Sequence, residues 1–102
     1  MARIGRRAYL RPGCEAEYER WHRQVWPSVL QASAAAGIRN YSIYRAGNVL
    51  FSYWEVEDLN AAVALLAASS DCQRWQELMA PFMQAADPLA PWEPMDEVFH
   101  LD

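Results

Sequence analysis

Lysine is missing from this 102-residue chain: all nine basic residues are arginine, which we read as codon bias rather than chemistry. The arginines form no basic cluster, and thirteen acidic residues leave a net charge of −4, the wrong sign for contact with a phosphate backbone. Nucleic acid is therefore not expected as a partner. Cysteine is scarce as well. Cys14 and Cys72 show neither metal-ligand spacing nor a C-x-x-C arrangement, which predicts two reduced thiols in a cytoplasmic protein. The opening residues Met1 to Arg7 hold no apolar signal core, and no apolar run approaches the length needed to cross a membrane. A glycine-rich phosphate loop, an H-E-x-x-H pair and a serine nucleophile elbow are all absent, which leaves a metal without support.

Apolar and aromatic residues, in contrast, make up 53% of the chain. That suffices for one domain over residues 1–102, but at this size the surface-to-volume ratio is marginal and burial in a dimer helps. Ile4 to Arg11 reads as a strand with Ile4, Ala8 and Leu10 on one face and arginines alternating among them. Pro12-Gly13 breaks it, and Glu15 to Gln24 follows as a helix with acidic residues in its first turn. Pro27 opens a second helical segment that Gly37 stops. Ile38–Arg45 and Val49–Val56 form a hairpin around Ala46-Gly47-Asn48. Asp58 caps a helix from Leu59 to Ala68, and Ser69-Ser70-Asp71 starts another that runs from Cys72 to about Met83. Three prolines between Asp87 and Pro94 mark a loop, after which Met95 to Leu101 alternates like a last strand.

The order β-α-β-β-α-β predicts an α+β, ferredoxin-like fold: a four-stranded antiparallel sheet with helices on one face. The strands are apolar on both sides in places, with Phe51 and Tyr53 set against Leu50 and Trp54. The helix-free face then needs a cover, and a second copy of the chain is the simplest one, so a homodimer is expected.

Chemistry concentrates between Tyr18 and Pro27, which holds one of two histidines and two of five tryptophans. Residues i and i+4 of a helix share a face, so Tyr18 and His22 project side by side as a phenol–imidazole pair able to move protons near neutral pH. The same spacing, continued to Trp26, equally describes a core-facing stripe. Tyr41, on the next strand, could face the same cleft. Trp75 recurs with Met79 and Phe82 at core spacing, yet an indole also provides the apolar platform on which sugar rings stack. His100 reads as a residue satisfied within the fold. On residues alone this is a small α+β domain with an aromatic, histidine-containing cleft.

Four blocks together resemble the L-rhamnose mutarotase family: Tyr18-x-x-x-His22-x-x-x-Trp26-Pro27, Asn40-Tyr41-Ser42-Ile43-Tyr44, Asp71-x-Gln73-Arg74-Trp75 and Glu97-Val98-Phe99-His100-Leu101. The resemblance spans nearly the whole chain. It implies a dimeric ferredoxin-like α/β barrel in the cytoplasm, free of metal and organic cofactor, that interconverts the α and β anomers of L-rhamnose. It further implies that His22 is the proton donor and that Tyr18, Tyr41 and Trp75 bind the sugar. The chain departs from the family pattern at Gln76, where the second of two adjacent tryptophans is usual, so position 76 is expected to touch the sugar and tune which one is preferred. Two other readings share the fold: a dimeric α/β-barrel enzyme acting on a non-sugar substrate, and a non-catalytic domain that binds a small ligand.

Overall fold

A computed structural model describes residues 1–102. Its elements are β1 (Ala2–Tyr9), α1 (Glu15–His22), α2 (Pro27–Ala35), β2 (Arg39–Ala46), β3 (Val49–Val56), α3 (Leu59–Ala68), α4 (Ser70–Met79), a 3-10 turn (Ala80–Phe82) and β4 (Glu93–Met95). Each helical crossover is a pair of helices, and local chemistry sets the joints. Pro27 occupies the first turn of α2, where its missing N–H costs nothing. Asp58 accepts from the Ala61 amide at 3.0 Å and Ser69 from the Cys72 amide at 3.2 Å, capping α3 and α4. Pro81 converts the end of the last helix into a 3-10 turn, so α4 stops at Met79 rather than Met83.

The four strands are antiparallel in the order β2-β3-β1-β4, with all helices on one face. The pairings Ala8↔Leu50, Arg6↔Ser52, Ile4↔Trp54 and Ala2↔Val56 alternate with outward-facing pairs, so these residues line the helix-facing side. That inner face carries a core in two parts. One gathers Ala8, Leu10, Tyr18, Leu50, Trp75, Met79 and Met83, and the other Ala36, Ile38, Trp54, Val56 and Ala62. The Arg6–Ser52 rung lies between them.

One strand differs from expectation. β4 covers only Glu93–Met95, paired with Gly5–Arg7, and residues 96–102 lie outside any strand. Their alternation of apolar and polar residues is strand-like, but the ladder with β1 ends at Gly5↔Met95 although β1 itself continues to Ala2. Val98, Phe99 and Leu101 stand in solvent, with Phe99 78% exposed. Only the Arg3–Glu97 ion pair, at 2.7 Å, ties this tail to the sheet edge.

Candidate active site

The helix α1 is short, and its end delivers the site. His22 is its last residue, and the ring turns back so that Nδ1 meets the Tyr18 carbonyl oxygen at 2.8 Å. A carbonyl only accepts, so Nδ1 carries the proton and Nε2 is the nitrogen left free. The imidazole stacks on the Tyr18 ring at 4.1 Å and meets the edge of Trp75 at 5.4 Å. Trp75 is 9% exposed and is also met edge-on by Trp26 at 5.3 Å and Trp21 at 6.3 Å. Two aromatic rings thus contact the imidazole directly, and two more hold Trp75 in place behind it. Edge-to-face contacts of this kind add about 0.5–1.5 kcal/mol each beyond their buried area.

Tyr18 and His22 line an open groove of about 440 Å³ between α1 and β2, together with Ile43 and Leu50 at its floor. The Glu19–Arg45 ion pair bridges helix and strand at its rim. A larger hollow of about 540 Å³ follows Glu17, Arg20 and Arg23 on the outer flank of α1; it is a solvated charged surface with one apolar side chain, Ala16.

Burial pushes the Tyr18 hydroxyl well above the usual tyrosine range, with the neighbouring Tyr41 adding to the effect. Desolvation lowers the pKa of His22, partly offset by its bond to the Tyr18 carbonyl. The unfolded chain therefore binds protons to this histidine more readily than the native protein does. Stability from this source is complete above about pH 6.5, the unperturbed histidine value, and is lost as pH falls below it. Glu55 and Glu97, held low mainly by Tyr53 and Arg3 respectively, lose their contributions only below the carboxylate value of 4.5. We expect the thermal midpoint to begin falling already between pH 6.5 and 5, and this early limb to vanish in His22→Gln. An unchanged limb would assign it to another group.

β2 brings Tyr41 to the same side. Arg39 pairs with Glu55 and Ser42 with Tyr53, so Asn40 and Tyr41 together oppose Trp54 in a bulge. Asn40 takes the left-handed conformation at φ 52°, which asparagine tolerates, and its amide donates to Glu55 at 2.8 Å. The bulge lays the Tyr41 ring over Trp54 at 6.3 Å. Tyr41 sits beside the groove, one inward-facing position along β2 from Ile43. Gln76 is exposed, one residue from Trp75 and outside the groove lining. No three His, Cys, Asp or Glu side chains gather as a metal site, and no helix is long and apolar enough to cross a membrane.

Three further residues border the site and were not singled out from sequence: Arg6, Trp54 and Trp92. The Arg6 guanidinium lies 5.3 Å from the Trp54 ring and 5.5 Å from that of Trp92. Strand parity is the signal that reveals Arg6, since position 6 falls between Ile4 and Ala8 on the apolar face.

The fold and the groove define a class: a small α+β domain equipped for acid–base chemistry on a small polar molecule. The family model for L-rhamnose mutarotase matches residues 3–101. An L-rhamnose mutarotase of Opitutus terrae is 43% identical over 93 residues, covering 88% of each chain. One of Listeria monocytogenes is 38% identical over 104 residues, covering 99% of each. The crystal structure of an L-rhamnose mutarotase from Formosa agariphila matches with a TM-score of 0.86 at 28% identity over the whole of both chains. A NIPSNAP domain protein from Burkholderia xenovorans, 17% identical with a TM-score of 0.62, shares the fold alone. The chain belongs to the L-rhamnose mutarotase family. It is an isomerase of the anomeric centre, interconverting the α and β forms of L-rhamnose.

Proposed function

We propose that His22 moves the proton in this interconversion and that Nε2 is its working nitrogen. Opening a pyranose removes a proton from the anomeric hydroxyl and delivers one to the ring oxygen; closing on the other face reverses both. A positioned acid–base group contributes about 10²–10⁴-fold. The observation that carries the reading is the Nδ1 bond to the Tyr18 carbonyl, which leaves one free nitrogen on a side chain lining the groove. With its pKa drawn down, the imidazole is neutral at pH 7, ready to take a proton and then to donate it strongly. Tyr18 orients the ring, Trp75 buttresses it from behind, and Tyr41 meets the sugar from β2. NMR magnetisation exchange between the α and β anomers of L-rhamnose, with and without the protein, tests the activity. Identical rates would overturn it.

Gln76 is exposed and follows Trp75 directly in the chain. A tryptophan here offers a flat apolar surface and one donor, whereas the amide offers two donors and an acceptor over less area. If position 76 meets the sugar, Gln76→Trp should raise the preference for the 6-deoxy sugar over hydroxylated analogues by about 1–2 kcal/mol, at roughly 25 cal/mol per Å². An unchanged ranking of sugars would remove position 76 from the specificity determinants.

The working form is a homodimer joined through the helix-free face of the sheet. That face presents Tyr44 (66% exposed), Phe51 and Met95, flanked by the exposed apolar tail from Val98 to Leu101. Phe51→Arg should shift the protein to monomers, whereas a native protein sedimenting as a monomer at micromolar concentration would refute the dimer. The cytoplasm is the compartment that two free thiols support.

A further inference from the structure

The buried side-chain polar atoms that lack a hydrogen-bond partner are Arg6 Nε, Ser52 Oγ and Trp54 Nε1. They sit together, since Arg6 opposes Ser52 in the β1–β3 register and Trp54 lies two positions further along the same face. Arg6, Arg11, Arg23 and Arg39 have no carboxylate partner, but the last three are exposed, and Arg6 is the one of the four drawn into the fold. Burial opposes its charge, and the group that favours it is the Tyr41 hydroxyl. A half-buried cation without a counter-ion is costly, so a stabilising role elsewhere is the economical reading of its placement between two indoles.

The site has two phenols, and their surroundings differ. Tyr18 is 5% exposed, and both burial and its neighbour Tyr41 work against its ionisation. Tyr41 is 44% exposed, and although desolvation raises its pKa, the Arg6 guanidinium opposes that rise. The groups facing Tyr41 are Arg6 from β1 and Tyr18 from α1, while β3 contributes the uncharged Trp54. Building on His22 as the working base, we infer that Tyr41 is the second proton-transfer group and that Arg6 is its positioning residue. Tyr41 stacks on the Trp54 ring and the Arg6 guanidinium lies 5.3 Å from that same ring, so the two side chains meet at one indole. A guanidinium only donates, so it favours charge on the Tyr41 oxygen and leaves the phenolic O–H as the donor to the sugar.

The steps balance. In opening, Nε2 of His22 takes the proton of the anomeric hydroxyl, the C1–O5 bond breaks as C1=O1 forms, and the Tyr41 hydroxyl gives its proton to O5. Rotation about C1–C2 turns the other aldehyde face to O5. In closing, the O5 proton returns to the Tyr41 phenolate and the imidazolium proton passes to O1. Arg6 stabilises the phenolate in between.

Anomeric exchange of L-rhamnose as a function of pH tests this. Tyr41→Phe should slow exchange about 10²-fold, and Arg6→Met, which keeps an unbranched chain between the indoles, about tenfold. Arg6→Met should also move the alkaline limb of the profile to higher pH, and Arg6→Lys should restore it. In the Tyr41→Phe background, Arg6→Met should cost nothing more, because the two act as one unit. Wild-type exchange in Tyr41→Phe, or a full additional loss in the double variant, would overturn the inference. Should Arg6→Met fail to fold, Tyr41→Phe and the pH profile of Arg6→Lys decide alone. His22→Ala in the same assay separates the levels: an inactive His22→Ala beside a normal Tyr41→Phe overturns only this inference, and a normal His22→Ala overturns the reading beneath it.

Discussion

His22→Ala should fold normally and exchange the anomers of L-rhamnose about 10²-fold or more slowly than the native protein, the scale of losing a general acid–base group. That factor is close to 2.7 kcal/mol of transition-state stabilisation, at 1.36 kcal/mol per tenfold. Folding should survive because His22 ends α1 and lines a groove instead of filling the interior. What is lost structurally is the hydrogen bond from Nδ1 to the Tyr18 carbonyl, one stacked contact with Tyr18 and one edge contact with Trp75. Tyr18→Phe provides the comparison. It keeps the ring that orients the imidazole, and the carbonyl that holds Nδ1 belongs to the backbone, so its loss should be much smaller. Near-native exchange in His22→Ala would make this histidine a structural residue.

Trp75→Ala should have the largest effect on stability, about 3–5 kcal/mol, the range for truncating a buried aromatic to alanine. Its indole touches Trp21, Trp26 and His22 and belongs to the core part that also holds Met79 and Met83. Domains of this size have total stabilities of about 5–15 kcal/mol, so the variant should sit close to unfolding at growth temperature. Urea midpoints measure this directly. Trp75→Phe should retain most of the stability while slowing exchange, since a smaller ring gives His22 less support. A loss below about 1 kcal/mol in Trp75→Ala would show that neighbouring side chains collapse into the space.

Much of this was legible beforehand because local chemistry and global pattern agree. Asp58 and Ser69 cap helices where their side chains reach the third amide onward, and the Val49–Val56 strand carries β-branched and aromatic residues between unambiguous breaks. The stacking of Tyr18 on His22 follows from helical spacing alone. What stayed hidden depends on distant partners. The tail after Met95 has strand-like alternation, yet its ladder with β1 stops at Gly5↔Met95 while β1 runs on to Ala2, and alternation alone does not mark where pairing ends. Arg6 stands among arginines that face solvent at positions 3 and 7, although the alternation of Ile4 and Ala8 places it inward. The bulge at Asn40 and Tyr41 leaves no mark in composition, because asparagine enters the left-handed region without a glycine to announce it.

The Arg6–Ser52 rung has a consequence for how the domain breathes. Side chains on either side of it interlock within their own half, and the halves meet across a polar seam rather than through continuous apolar contact. Such a body loosens along the seam before it unfolds as a whole. Deuterium uptake should therefore proceed in two groups, α3 with the end of α2 exchanging separately from α1 and α4. The backbone amides of β1 and β3, which run beneath both halves, should be the last to exchange. Tyr18 belongs to one half and Tyr41 stacks on Trp54 of the other, so the two phenols stand on opposite sides of that seam.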